Sequence, residues 1–106
     1  MDTKELLGRV CGNINDNEIC IYDCGDGVYM RLIKGAAKSD FLKICGECEE
    51  LGYTLFQRND LEENRHASYR GDMLIHAYFC PAEKILRVIC DPYSVEFECE
   101  EPKYER

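Results

Sequence analysis

The stretch that decides the fold is SDFLKICGECEELGYTLFQRNDLEENRHASYRGDMLIHAYFCPAEKILRVICDP, residues 39–92. It opens with an apolar stripe. Phe41, Ile44, Cys45, Cys48 and Leu51 follow at steps of three, one, three and three, the spacing of one helix face. Ser39 is a natural N-cap, and Asp40 suits the positive end of the helix dipole. Gly52 stands where a left-handed residue closes a helix, with Tyr53 placed to pack back on Cys48. The spacing predicts one main helix over about residues 39–51.

After Gly52 the period changes from helical to alternating. Tyr53 to Gln57 is predicted as a strand and Arg58 to Asn64 as a polar loop. His66 to Arg70, the turn Gly71-Asp72, and Met73 to Cys80 form a predicted hairpin. Ile75, Ala77 and Phe79 share one face of it, and Leu74, His76 and Tyr78 the other. Pro81 to Lys84 suits a tight turn. Ile85 to Cys90 then closes a four-strand meander, with Leu86, Val88 and Cys90 inward, and Asp91-Pro92 stops it.

N-terminal to the helix, residues 1–17 are weakly patterned and end in a turn-rich run. Glu18 to Cys24 and Val28 to Ile33 flank Gly25-Asp26-Gly27, which predicts a hairpin with a three-residue loop. Beyond Pro92, Val95, Phe97 and Cys99 alternate with Glu96, Glu98 and Glu100, the pattern of an edge strand or linker within residues 93–106. The expectation is a single α+β domain over residues 1–106. An antiparallel sheet, built from the N-terminal hairpin and the four-strand meander, carries the helix on one face.

The chain has 106 residues and a net charge of −8. Such a surface repels phosphate backbones and anionic lipid, so neither nucleic-acid nor membrane binding is expected. No segment is long enough to span a bilayer. The N-terminus has acids and no long apolar core, which argues against a signal peptide. The expected compartment is the cytoplasm, where the eight cysteines remain thiols.

The cysteines carry the sharpest chemical signal. Cys45-Gly46-Glu47-Cys48 has the two-residue spacing of redox pairs and zinc knuckles, and Cys20 with Cys24 completes a conceivable four-thiolate metal site. Against that, Cys45 and Cys48 lie on the apolar stripe, where a free cysteine behaves as a small hydrophobe. They also lie away from the helix N-terminus, so the dipole does not acidify them. Packing is the preferred reading, with no cofactor.

His66 and His76 are the only two histidines. Both fall in predicted strands, where they can face each other across the hairpin and bind a metal weakly, or simply occupy the surface. No serine or cysteine stands in a nucleophile motif with an orienting acid, so no enzymatic constellation is visible. Arg70-Gly71-Asp72 matches an adhesion tripeptide, but turn formation explains it. Gly25-Asp26-Gly27 joins two strands and has no helix behind it to receive a phosphate.

Several short runs carry a resemblance: Gly52-Tyr53-Thr54-Leu55-Phe56, Asn64-Arg65-His66-Ala67-Ser68-Tyr69, Leu74 through Pro81, Leu86 through Pro92, and the hairpin around Asp23-Cys24-Gly25-Asp26-Gly27. Together they resemble the region that precedes the catalytic domain in some metallo-β-lactamase-fold hydrolases of gut Firmicutes. The resemblance covers most of residues 20–104. It implies a bacterial accessory portion, or a stand-alone relative, beside a hydrolase domain that would begin near Pro102. The family's metal-binding histidine motif has no counterpart here, so no catalytic residue carries over.

The expected function is thus a non-catalytic accessory or protein-interaction domain. Its partner is another protein, an adjoining hydrolase domain, or a second copy in a homodimer. The expected contact surface is the outer sheet face, assigned to Tyr29, Ile33, Leu74, Tyr78 and Ile85. Two alternatives stand beside it. One is a cysteine-based zinc or redox protein using Cys20, Cys24, Cys45 and Cys48. The other is a small acidic inhibitor that imitates nucleic acid.

Overall fold

The computed structural model describes residues 1–12, 14, 18–61 and 63–92. The expected edge strand or linker within residues 93–106 lies outside the described residues. Along the chain the elements are α1 (Thr3–Val10), β1 (Glu18–Gly25), β2 (Val28–Lys34), α2 (Lys38–Glu50), β3 (Thr54–Asp60), β4 (Arg65–Arg70), β5 (Leu74–Cys80) and β6 (Ile85–Asp91). The six strands form one sheet in the order β1-β2-β6-β5-β4-β3. Every neighbouring pair is antiparallel. The class is α+β, as the alternation and the helical stripe imply.

The meander β3–β6 forms by local turns, and the N-terminal hairpin joins it by laying β2 along β6. In the β1–β2 hairpin Gly25 pairs with Val28, so the loop is Asp26-Gly27, two residues instead of three. Both have positive φ, 58° at Asp26 and 80° at Gly27, the twist that suits a tight hairpin. The next hairpin departs the other way. Arg70 pairs with Leu74, and the Gly71 N–H donates to the Met73 carbonyl at 3.0 Å, giving a three-residue loop. Strand β3 runs to Asp60, so Arg58, Asn59 and Asp60 of the expected polar loop are paired with β4, after a bulge between Leu55 and Gln57.

Helix α2 starts one residue earlier than expected. Ala37 is its N-cap and offers no side-chain oxygen; the Asp40 carboxylate instead reaches back to accept the Ala37 N–H at 2.8 Å. Its end is as read. Gly52 has φ 87°, the Tyr53 N–H reaches the Cys48 carbonyl at 3.1 Å, and the Gly52 N–H reaches that of Glu49 at 3.0 Å. These two bonds are the Schellman closure.

The weak pattern over residues 1–17 hides a second helix. In α1 the Asp2 carboxylate caps the Glu5 N–H at 2.8 Å, and the Glu5 carboxylate accepts the Asp2 N–H at 3.0 Å. This reciprocal pair satisfies two orphan donors of an eight-residue helix. Leu6, Leu7 and Val10 then point into the core. The Thr3 hydroxyl donates to the Gly27 carbonyl, tying the helix to the first hairpin loop.

Both helices pack on the same sheet face. The core between them and the sheet holds Leu6, Leu7, Phe41, Ile44, Ile33, Tyr69, Ile75, Phe79, Leu86 and Val88, with the thiols Cys11, Cys45, Cys48 and Cys90 as small apolar fillers. The Tyr69 hydroxyl donates to Glu49 Oε2 at 3.2 Å, bonding the sheet to α2. Among the described residues no helix is long and apolar enough to cross a membrane.

Candidate interaction face

Strand register sorts side chains into rows across the sheet. On the helix-covered face one row is Ile19, Ile33, Leu86, Phe79, Arg65 and Asp60; the next is Ile21, Arg31, Val88, Ala77, Ala67 and Arg58. On the open face one row is Tyr22, Met30, Ile89, His76, Ser68 and Gln57. Its neighbour is Cys20, Leu32, Arg87, Tyr78, His66 and Asn59.

This register corrects the expected contact surface. Ile33 is wholly buried beneath the helices, and Tyr29 is half-buried against the same core, with the Lys4 Nζ 6.0 Å from its ring centre. Both alternate faces of β2 are equally apolar, so alternation alone does not say which one meets a helix. Pairing with Leu86 and Cys90 decides it. Leu74, Tyr78 and Ile85 do lie on the open face. Tyr78 is 40% exposed, Ile85 is half-buried, and Leu74 is buried at 1%. Leu74 is therefore a support for that face and not a contact on it.

The centre of the open face is a hydrogen-bonded cluster. Ser68 Oγ lies 2.7 Å from His66 Nε2 and 2.7 Å from His76 Nδ1. A hydroxyl has one proton to give, so Ser68 donates to one imidazole and accepts an N–H from the other. The His66 ring stacks on Tyr78, with centroids 4.6 Å apart and planes 7° from parallel. Burial pushes the pKa of both histidines below the ordinary imidazole value. At His76 the His66 charge pushes in the same direction, and Asp91 partly opposes it.

Chemically, this cluster orients and does not attack. Ser68 is wholly buried and bonded on both sides, so its oxygen has no path to a substrate carbonyl. Two imidazoles alone make a poor cation site. Among the described residues no three His, Cys, Asp or Glu side chains are grouped to hold a metal. What the cluster does provide is a stack of near-parallel imidazole and phenol rings, its two imidazoles held by two short bonds to Ser68.

The thiols divide between faces. Cys45 and Cys48 are buried on α2 against the sheet, and Cys11 and Cys90 join them. Burial raises all four pKa values, Cys11 to about 12, which suppresses thiolate formation. Cys20 stands half-buried on the open face of the edge strand β1, and Cys24 is exposed near its end. Helix α2 packs over β5 and β3, on the covered face, so Cys20 is divided from Cys45 and Cys48 by the sheet itself.

The sequence reading did not find the Ser68 bridge, nor Tyr22, Met30, Leu32 and Ile89 as members of the same face. The signal was the His-x-Ser spacing in β4, which places His66 and Ser68 on one side, plus the register that brings His76 opposite Ser68. Compared with known proteins, the chain matches no family model, no curated protein and no solved structure.

Proposed function

We propose that this chain is a non-catalytic protein-interaction domain that docks through the open sheet face, and that its partner there is a second copy of the chain. The observation that carries the reading is the Ser68-locked ring stack of His66, His76 and Tyr78 amid Leu32, Ile85 and Ile89. Such a surface costs little ordering entropy on binding, because its rings are already fixed. Tyrosine at the centre of a patch, with arginine beside it, is the composition of a contact centre. Tyr78 and Arg87 are direct cross-strand neighbours.

The same face serves an accessory role beside a hydrolase domain, as the resemblance to the region preceding metallo-β-lactamase-fold catalytic domains implies. In that setting the adjoining domain replaces the second copy. The zinc or redox alternative draws no support from four thiols that are split by the sheet. The acidic cluster on which nucleic-acid mimicry would rest, Glu96, Glu98, Glu100, Glu101 and Glu105, lies outside the described residues.

Light scattering over a concentration series tests the proposal. The expected result is a dimer that Tyr78→Glu converts to monomer while the fold persists. A protein that stays monomeric throughout, or one that carries stoichiometric zinc lost on thiol alkylation, contradicts it.

A further inference from the structure

A second feature sits at the far edge of the covered face and is independent of the open-face reading. The β2–α2 linker, the start of β4 and the β5–β6 turn border an open, solvent-facing cleft of about 440 Å³. Phe79, Pro81 and Ala36 give it an apolar floor, and Lys38, Arg65 and Lys84 bring three cations to it. In a chain of net charge −8, three cationic residues lining one cleft run against the overall sign of charge.

Two of the three cations are not neutralised by an acid. Among the described residues, Lys38 and Lys84 make no ion pair, whereas Lys34, Arg58 and Arg65 each do. Arg65 Nη1 approaches Asp60 Oδ1 at 3.6 Å, but Arg58 Nε holds the same oxygen at 3.0 Å. One carboxylate thus serves two guanidinium groups. Of the acids close in sequence to the two lysines, Asp40 already accepts the Ala37 N–H and Glu83 is exposed in the turn.

The walls are fixed before any ligand arrives. The Ala36 N–H donates to the Lys84 carbonyl at 2.9 Å, pinning the linker to the turn. Lys84 itself has φ 57°, a conformation that favours glycine or asparagine. Helix α2 also begins at Lys38, where no side chain caps the first turn, although the Asp40 N–H bonds the Ala37 carbonyl at 2.9 Å and the Asp40 carboxylate is turned back to the Ala37 N–H. The amides of that turn and the helix dipole favour negative charge at the same end of the cleft.

We propose that this cleft binds a small organic phosphate monoester, its dianionic head held by Lys38, Lys84 and the α2 N-terminus, and its apolar body resting on Phe79 and Pro81. Two unpaired ammonium groups match the two charges of a phosphate monoester near neutral pH. The volume lies within the range of small-molecule sites and exceeds what an inorganic ion fills.

Phenyl phosphate titrated into the full chain, followed by calorimetry and by backbone chemical shifts, tests this. Binding below about 1 mM is expected, with inorganic phosphate and phenylacetate each at least about tenfold weaker and benzyl alcohol silent. The expected shifts fall on residues 35–38, 65, 79 and 81–84. A double variant, Lys38→Gln with Lys84→Asn, removes both ammonium groups while asparagine keeps the turn. It should weaken phenyl phosphate at least about tenfold without lowering the melting temperature. Equal binding by the double variant overturns the proposal, as does equal affinity for phenylacetate, or no binding at about 10 mM.

Discussion

Every strand of the sheet contributes to two surfaces, and the two are organised in opposite ways. Across the covered face, the row from Ile21 to Arg58 is apolar at its middle, Val88, Ala77 and Ala67, and carries its charges towards the edges. Across the open face, the row from Cys20 to Asn59 puts Arg87, Tyr78 and His66 at its middle. Polar groups at a row's centre are costly under a helix and useful under a partner that can bond to them. The difference teaches where to look for function. Beneath the helices the middle of the covered face is explained largely by packing, and the open side retains ordered polar structure that folding does not require.

The largest expected effect lies on the covered face. Phe41 is fully buried on α2, its ring 6.4 Å from that of Phe79. Phe41→Ala is expected to cost about 3–5 kcal/mol in urea unfolding, by lost transfer energy and the cavity left behind. A cost under about 1 kcal/mol would break the comparison, because the helix would then not be packing the sheet.

Next comes a backbone contact at the end of the sheet. A Cβ on Gly71 would lie 2.8 Å from the Tyr53 ring, which packs against the core. Gly71→Ala is expected to cost about 1–3 kcal/mol, because the ring must move. The companion substitution Tyr53→Ala should remove most of that penalty in a double-mutant cycle. Additive effects would show that the contact is not the cause.

A smaller effect sharpens the account of the open face. Folding depresses the pKa of His66 and His76, so the unfolded chain binds more protons below the ordinary imidazole value of about 6.5. Their contribution to stability is present above that pH and is lost as pH falls through the lowered folded values. Urea midpoints measured from pH 7.5 down to 5 should therefore decline, and a variant with His66→Gln and His76→Gln should flatten that part of the decline. An unchanged slope in the variant would mean that carboxylates elsewhere set it.

How far the sequence led depends on what local pattern can encode. The Phe41–Leu51 stripe and Gly52 fixed α2 and its closure, because helix period and a left-handed cap are local properties. Alternation likewise placed Ile75, Ala77 and Phe79 together. Helix α1 was missed because eight residues give barely two turns of periodicity, although Asp2 and Glu5 already stood in capping-box spacing. The side on which Tyr29 and Ile33 point depends on a strand more than fifty residues away, and no local signal carries it. The Ser68 bridge depends on the register of β4 against β5 in the same way. The cleft cations could not be assembled from spacing, since Lys38, Arg65 and Lys84 come from three separate segments.

Cys11, Cys45, Cys48 and Cys90 are packing groups of the covered face, and native-state alkylation read by mass spectrometry tests that most directly. Cys24 should label first, with Cys20 and Cys80 slower, while Cys11, Cys45, Cys48 and Cys90 stay unmodified until the chain is unfolded. Rapid labelling of Cys45 and Cys48 in the folded protein, or their protection by a bound metal that a chelator removes, would contradict it.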